Sequence, residues 1–383
     1  MVVYLDYNAS APIDLRVLDT MVDVYKNKIG NAESRTHSQG NAVREIVEEA
    51  RKQVAKLLAV DEKEVFFTSG ATESNNIAIQ GLQQYAEKTG KKHIITSAIE
   101  HKAILETCKA MEKRGFQISI VNPGLNGRVN ENEVLSLVRA DTLLVSIMHV
   151  NNETGTIQPV DKIGDKLYDT GTLFHIDATQ SCGKLVNEIQ GLKYDMLSFS
   201  AHKLRGPQGI GCLVLRRKGY RLPPVGPIMY GGPQEHGISP GTVPAALVAG
   251  CGKACELALV EHESNSKKNL MIRDDITGIL DNSKLNYQIN GDIDYCISNT
   301  LNISICGVSA EALMIASKQY CSISNGSACT STSYDPSYVL SAMGLQNEQI
   351  ESSVRISWGA DEKIEDVHKG VAKLVSVAEK LVL

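Results

Sequence analysis

The sequence predicts an α/β protein in which helices cover both faces of a mainly parallel sheet, followed by a smaller α+β domain. Two observations support this prediction. From about residue 40 to residue 250, short apolar segments alternate with helical stretches, which is typical of parallel strands joined by crossover helices. After about residue 265 that alternation ends. A chain of 383 residues with 43% apolar residues is long and apolar enough to form more than one core.

The elements of the first part are predicted from periodicity and turn residues. Residues 42–58 (AVREIVEEARKQVAKLL) carry apolar side chains at helical spacing with charge on the opposite face, which predicts a helix. Residues 64–70 (EVFFTSG) predict a strand ending at glycine, and residues 71–90 (ATESNNIAIQGLQQYAEKTG) predict the helix that follows. Further apolar segments predict the remaining strands: 93–101, 117–124, 142–150, 172–178, 195–202 and 210–217.

A helical stretch is predicted at residues 244–262, before the change of pattern at about residue 265. We expect residues 13–255 to form the large domain. Residues 1–12 together with 256–383 are expected to form the small one. Its predicted elements are a strand segment in 295–307, a helix in 309–320, a strand in 354–359 and a final helix in 365–383.

Charge and composition exclude several classes of function. The net charge of -5 gives no electrostatic reason to expect direct nucleic-acid or membrane-surface binding. The chain starts MVVYLDYNASAP, so no secretory signal is expected, and no apolar run is long enough to span a bilayer. The nine cysteines are scattered without CxxC or Cys/His ligand spacing, which predicts reduced thiols in the cytoplasm and no metal site.

Candidate site residues follow several predicted strands. Lys203 lies between a strand and a Gly/Pro-rich turn, where a lysine alone is most often a solvated loop charge. The segment TSGATESNN (68–76) places Ala71 and Thr72 where a strand passes into a helix, which suits an anion. Asp177 ends another strand and His101 lies just past a third. Ligands of open α/β sheets bind outside the carboxyl ends of the strands, where these side chains are expected.

An anion cradle, a strand-end aspartate and a loop lysine together are typical of a pyridoxal phosphate (PLP) site. In such a site the lysine amine forms a Schiff base with the cofactor aldehyde. The aspartate keeps the pyridine nitrogen protonated, and the helix N-terminus with nearby hydroxyl groups holds the phosphate.

Ordered motifs then carry a resemblance that runs nearly from end to end. The sequence is similar to the class V aminotransferase group of fold-type I PLP enzymes, and within it to the cysteine desulfurases of the NifS/IscS kind. The blocks HIITSAIEHKA and PIMYGGPQEHG resemble desulfurases of bacterial DNA phosphorothioation systems (Dnd or Ssp). The motifs, in family order, are YLDYNASAP, GNAESRTHSQG, FFTSGATESNN, EHKAILETC, HVNNETGTIQPV, HIDATQ, SFSAHKLRGPQGIG, SPGT, SNGSACTS and VRISWG.

The resemblance implies a role for each matching residue. Lys203 would be the Schiff-base lysine, Asp177 the partner of the pyridine nitrogen, and His101 a ring-stacking group that assists proton transfer. Gln180 would hydrogen-bond the ring hydroxyl. The phosphate would be bound by Ala71, Thr72, Ser200 and His202, and by Thr242 from the other subunit of a homodimer. The substrate carboxylate would be bound by Asn152, Arg355 and Asn31.

Cys329 lies in SISNGSACTSTSYD (322–335), among small and polar residues where no hydrophobic neighbour would bury it. One interpretation of Cys329 is an incidental exposed cysteine with no function. Cys212, Cys251, Cys255 and Cys306 lie in apolar contexts, where a free cysteine behaves as a small hydrophobic residue. The resemblance makes Cys329 the nucleophile, since a thiolate must attack the substrate sulfur and then present it to an acceptor protein.

The sequence departs from its family near the expected phosphate and subunit boundary. Gln208 stands where a lysine is usual, Pro233 for a glycine, and His236 and Ser239 for arginines. These changes remove positive charge. We expect them to affect the affinity for the cofactor and the geometry of the dimer more than the class of reaction.

The sequence as a whole predicts a PLP-dependent cysteine desulfurase. It would convert L-cysteine to L-alanine and leave a persulfide on Cys329 for acceptor proteins in iron–sulfur assembly, tRNA thiolation or DNA phosphorothioation. The alternatives are a selenocysteine lyase or another class V PLP enzyme, and a non-enzymatic scaffold that retains the fold.

Overall fold

The computed structural model describes residues 2–326 and 336–382, and its largest element is a seven-stranded sheet. The strand order is β2-β8-β7-β6-β5-β3-β4, and all strands run in the same direction except β8, which is antiparallel to both neighbours. The predicted, mainly parallel sheet is therefore confirmed. Its strands are β2 Val65–Thr68, β3 His93–Ser97, β4 Gln117–Val121, β5 Thr142–Met148, β6 Leu173–Asp177, β7 Met196–Ser200 and β8 Gly211–Leu215.

Helices pack on both faces of this sheet because its central strands are buried along their whole length, so apolar side chains point to either side. Two cores result, one on each face. The helices of this part are α1 Leu15–Asn27, α2 Ser38–Leu58, α3 Ala71–Gln80, α4 Gln83–Thr89, α5 Lys102–Glu112, α6 Glu131–Ser136, α7 Val160–Leu167 and α8 Val186–Gly191.

The structure divides the helix predicted over residues 71–90 into α3 and α4. The break lies at Gly81, whose carbonyl accepts a hydrogen bond from the Gly226 N–H (2.8 Å). A Cβ at Gly81 would lie 2.5 Å from the Gly226 oxygen, so the crossing chain requires a glycine there. This contact joins residues far apart in sequence, and helical periodicity cannot reveal it.

The C-terminal part contains a smaller antiparallel sheet of order β12-β10-β9 and a parallel pair of β1 with β11. Trp358 is fully buried in the hydrophobic core of this C-terminal part. The strands are β1 Val3–Tyr4, β9 Tyr287–Ile289, β10 Thr300–Ile305, β11 Cys321–Ser322 and β12 Ser353–Ser357. The helices are α10 Ala310–Ser317, α11 Tyr338–Ala342, α12 Asn347–Glu351 and α13 Ile364–Leu381.

A single helix, α9 (Ala245–Asp281), joins the two parts. It is longer than the helical stretch predicted at 244–262. Cys251 and Cys255 near its start pack in a core of the large sheet, whereas Ile272 and Ile276 pack in the C-terminal core. The predicted boundary between residues 255 and 256 lies inside this helix, and the division into two domains stays a prediction.

Within the described parts of the chain, no helix combines the length and the apolar character needed to cross a membrane.

Candidate active site

The carboxyl ends of strands β2, β3, β5, β6 and β7 surround a cavity of about 390 Å³. This is the edge at which the sequence places the candidate residues. Its lining consists of Asn8, Ala9, Ala71, Thr72, Asn75, His101, Met148, Val150, Asn152, Asp177, Thr179, Gln180, Ser200, His202, Lys203, Gly326 and Arg355.

Asp177 is the buried acid of the cavity. Its Oδ2 accepts a hydrogen bond from Asn75 Nδ2 (2.7 Å), and its Oδ1 accepts from the Thr179 N–H (2.9 Å) and the Thr179 hydroxyl (2.5 Å). Three donors on one carboxylate hold it in a fixed orientation. Behind it, burial lowers the pKa of His175 to about 4, so that ring is neutral near pH 7.

The N-terminus of α3 lies at the cavity, where the sequence predicts an anion site. Gly70 precedes it with φ of 153°, and the Ala71 N–H donates to Ser200 Oγ (2.7 Å). His202 also lines the cavity, and burial, followed by the charge of Lys203, lowers the pKa of His202 to about 4. A helix N-terminus with hydroxyl groups beside it suits a phosphate.

Lys203 lies in a 3-10 turn directly after β7. Its Nζ donates to the carbonyl oxygens of Asn8 (2.5 Å) and Ala9 (2.7 Å). Gln180 Nε2 donates to the same Asn8 carbonyl (2.9 Å), and its Oε1 accepts from Lys184 Nζ (3.2 Å). Burial, with the charges of Lys203 and Arg355, lowers the pKa of Lys184 to about 7. Two lysines therefore lie close together, and only Lys203 is part of the cavity lining.

Arg355 on β12 closes the cavity from the C-terminal part and is 2% exposed. Its Nη2 pairs with Asp6 Oδ1 (2.6 Å), and its Nη1 donates to the Asn152 carbonyl (2.9 Å). Its Nε is buried and has no hydrogen-bond partner among the described residues. The guanidinium is thus held in place while its Nε–H stays available to a ligand.

Four buried polar atoms of the cavity residues lack partners within the described chain: Asn8 Oδ1, Asn75 Oδ1, Asn152 Oδ1 and Arg355 Nε. Buried polar atoms in native proteins are nearly always hydrogen-bonded. A polar ligand or ordered water at this position would satisfy them.

The structure brings ten of the predicted site residues into this cavity: Ala71, Thr72, His101, Asn152, Asp177, Gln180, Ser200, His202, Lys203 and Arg355. Asn31 and Thr242 are exposed and lie outside its lining. Cys329 lies outside the described residues. The roles assigned to all of these residues stay predictions.

Sequence reasoning missed Asn8, Asn75, Thr179 and the Asp6 partner of Arg355. Three of these residues could have been chosen from motifs that the sequence analysis names, because Asp6 and Asn8 lie in YLDYNASAP and Asn75 lies in TSGATESNN. Nothing local shows that the N-terminal segment reaches across to Lys203 and Arg355.

Two of the sequence departures take part in contacts beside α3. Ser239 Oγ donates to Glu73 Oε1 (2.7 Å). His236 has a φ of 54° and its ring meets Phe66 edge-on, at 5.9 Å between centroids. The neighbouring Glu235 anchors this segment through a buried ion pair with Arg51 (2.8 Å). Gln208 is exposed, and its Nε2 donates to Ser10 Oγ (3.2 Å).

With this geometry in place, comparison with known proteins decides the family. The sequence profile described as aminotransferase class-V matches residues 3–369. The chain belongs to the class V aminotransferase family. A cysteine desulfurase IscS of Vibrio vulnificus (strain CMCP6) is 42% identical over 383 residues, covering 99% of this chain and 93% of the relative.

Solved structures agree with this class V assignment. A NifS-like protein superposes with a TM-score of 0.91 and 36% identity, with 100% of both chains covered. SspA in complex with cysteine gives a TM-score of 0.82 and 33% identity, over 94% of this chain and 100% of that one. The predicted fold class and the resemblance to cysteine desulfurases of the NifS/IscS kind are therefore confirmed.

Proposed function

We propose that this class V protein is a PLP-dependent cysteine desulfurase that converts L-cysteine to L-alanine and leaves the sulfur as a persulfide on Cys329. The observation that carries the proposal is the convergence of Lys203, Asp177 and Arg355 on one cavity of about 390 Å³. An amine, a buried acid and a carboxylate-binding guanidinium are the groups that PLP chemistry on an amino acid requires.

The cavity residues fit PLP. When bound, PLP supplies an electron sink for the pair released as a bond to the substrate α-carbon breaks. Lys203 would hold the aldehyde carbon, Asp177 would hold a proton on the ring nitrogen, and the α3 N-terminus with Ser200 would hold the phosphate. The three donors on Asp177 fix the orientation of its carboxylate.

His101 and Lys203 would move protons. His101 Nδ1 accepts a hydrogen bond from the Ala103 N–H (3.1 Å), so a neutral His101 ring carries its proton on Nε2. The amine of Lys203 would carry the α-proton of the substrate, with the carbonyls of Asn8 and Ala9 accepting from its Nζ.

Cys329 would take the sulfur. Its thiolate forms the new S–S bond to the substrate sulfur while the substrate Cβ–S bond breaks. The electron pair of that bond stays on carbon, which gains a proton to become the methyl group of alanine. The persulfide sulfur then passes to the thiol of an acceptor protein.

Arg355 would bind the substrate carboxylate, and we expect Arg355→Lys to raise the KM for cysteine at least about tenfold, because lysine keeps the charge but loses the planar fork. Steady-state alanine formation measures this effect. Arg139→Lys is the control, since Arg139 is an exposed arginine paired with Asp141 (2.7 Å) and should leave KM unchanged. An unchanged KM in Arg355→Lys would remove Arg355 from the substrate site.

The proposal also includes a homodimer in which Thr242 reaches the partner's phosphate site, and a cytoplasmic location. Thr242 is exposed in the single chain, which leaves it available to a second copy. All eight described cysteines are free thiols, as expected of a protein kept in a reducing compartment.

The experiment that tests the proposed function is a single turnover of the PLP-loaded protein with sulfur-35 cysteine, without reductant. We expect one alanine per active site and an equal amount of protein-bound label that is released by a thiol and maps to the peptide containing Cys329. Alanine without bound label would instead indicate a lyase. Consumption of a 2-oxo acid would indicate an aminotransferase, and no product despite bound PLP would contradict the activity altogether.

A further inference from the structure

One buried carboxylate contacts both ends of the stretch that contains Cys329. Glu153, in the motif HVNNETG, is 1% exposed. The Ser337 hydroxyl donates to Glu153 Oε2 (2.5 Å). On the other side, a Cβ built on Gly326 would lie 2.8 Å from the same oxygen, so the Gly326 backbone packs directly against it. Gly326 and Ser337 lie on either side of the segment that contains Cys329, and both contact Glu153 Oε2.

The contacts of Glu153 with Gly326 and Ser337 form an anchor that is connected to the candidate active-site cavity. Gly326 is part of the cavity lining. Two residues earlier, the Ser324 N–H donates to the Arg355 carbonyl (3.2 Å), and the Arg355 N–H donates to the Ser324 carbonyl (2.5 Å). Glu153 directly follows Asn152, whose carbonyl accepts from Arg355 Nη1. The anchor and the predicted carboxylate site thus belong to one hydrogen-bonded unit.

The surroundings of Glu153 hold it in place. Its N–H donates to Asn151 Oδ1 (2.8 Å), and its carbonyl accepts from Asn302 Nδ2 (3.2 Å). Ser337 is itself fixed, since its Oγ also accepts from the Leu340 N–H (3.1 Å) at the start of α11. Gly326 has a φ of 88°, a conformation that favours glycine. A larger residue there would be strained and would also collide with the carboxylate.

We propose that Glu153 is a positioning residue for sulfur transfer, holding the two ends of the Cys329 segment together beside the cofactor cavity. The inference rests on the proposed function, in which Cys329 accepts the sulfur. Glu153 acts through the reach of its side chain to Gly326 and Ser337, and it is not part of the cavity lining. A displacement of a thiol by about 1 Å from its target can cost about 10²-fold in rate, so such an anchor matters for the chemistry.

Two substitutions at Glu153 separate the effect of side-chain length, its reach, from the effect of the carboxylate charge. Glu153→Asp keeps the charge but withdraws the carboxylate by one methylene from Gly326 and Ser337. Glu153→Gln keeps the length, and its amide oxygen can still accept from the Ser337 hydroxyl. We expect Glu153→Asp to slow persulfide formation in a single turnover by about 10²-fold. Glu153→Gln should stay within about threefold of the wild type, because its hydrogen bond to Ser337 is retained.

Substitutions at the two contacts provide an independent measurement. We expect Ser337→Ala, which removes the hydrogen bond, to slow persulfide formation by about tenfold. Gly326→Ala should slow it at least as much. In Glu153→Asp, Glu153→Gln and Ser337→Ala, the absorbance change of the bound cofactor on adding cysteine should occur at wild-type cysteine concentrations. The melting temperature should identify any of the four variants that fails to fold.

The outcomes distinguish this inference from the proposed function. A Glu153→Gln variant as slow as Glu153→Asp would show that side-chain length and the hydrogen bond to Ser337 are not sufficient, and would overturn the inference. Weakened cysteine or cofactor binding in Ser337→Ala and Glu153→Asp would also overturn it, since the role would then be general stabilisation. If the wild type itself forms no persulfide on Cys329, the proposed function fails first.

Discussion

Lys203→Ala is expected to abolish the covalent link between PLP and the protein and to slow alanine formation by at least about 10³-fold, because the same amine would also move the substrate α-proton. Borohydride treatment of the PLP-loaded protein, followed by peptide mapping, measures the link directly. In the wild type we expect the reduced cofactor on the peptide containing Lys203. In Lys203→Ala we expect cofactor to be bound but to be lost on denaturation.

Lys184→Ala is the matched control for this experiment. Lys184 is the competing amine, because its pKa is lowered to about 7 and a substantial fraction of its side chain is neutral at physiological pH. Its Nζ donates to Gln180 Oε1, and it is not part of the cavity lining. We therefore expect the cofactor to remain linked in Lys184→Ala. A link that persists in Lys203→Ala and disappears in Lys184→Ala would reverse the assignment.

Cys329→Ala is expected to eliminate stable protein-bound sulfur and to slow alanine formation from cysteine by roughly 10³-fold or more, since no nucleophile remains to accept the sulfur. PLP binding and the absorbance change on adding cysteine should persist, because the cavity residues are unaltered. Sulfur-35 labelling and alanine quantification measure both effects on the same sample.

The control for the thiol is Cys306→Ala. The packing predicted for Cys306 from its apolar sequence context is wrong, because Cys306 is exposed, whereas most of the other described cysteines are buried. It is therefore an accessible alternative acceptor. We expect Cys306→Ala to keep both label and turnover. Label that survives in Cys329→Ala would indicate another acceptor cysteine, and alanine release at the wild-type rate without label would support the lyase alternative.

Several elements of the candidate site could be predicted because their cause is local. A buried strand that ends in a polar residue, as at Asp177, specifies both the element and the edge at which the side chain lies. The passage from strand to helix at Gly70 specifies an anion site for the same reason. The helix predicted over 71–90 was only partly correct, because its division at Gly81 depends on a chain crossing from Gly226.

The sequence by itself determined the order and type of most elements, the family, and ten of the residues that line the cavity, since these depend on periodicity, turn chemistry and motif order. Only the tertiary structure decided which distant segments meet. Lys203 donates to the Asn8 carbonyl and Arg355 pairs with Asp6, although each pair is far apart along the chain. Glu153 likewise joins Gly326 to Ser337. Such contacts form because buried polar groups must find partners when the two parts of the chain pack together, and that requirement leaves no periodic trace in the sequence.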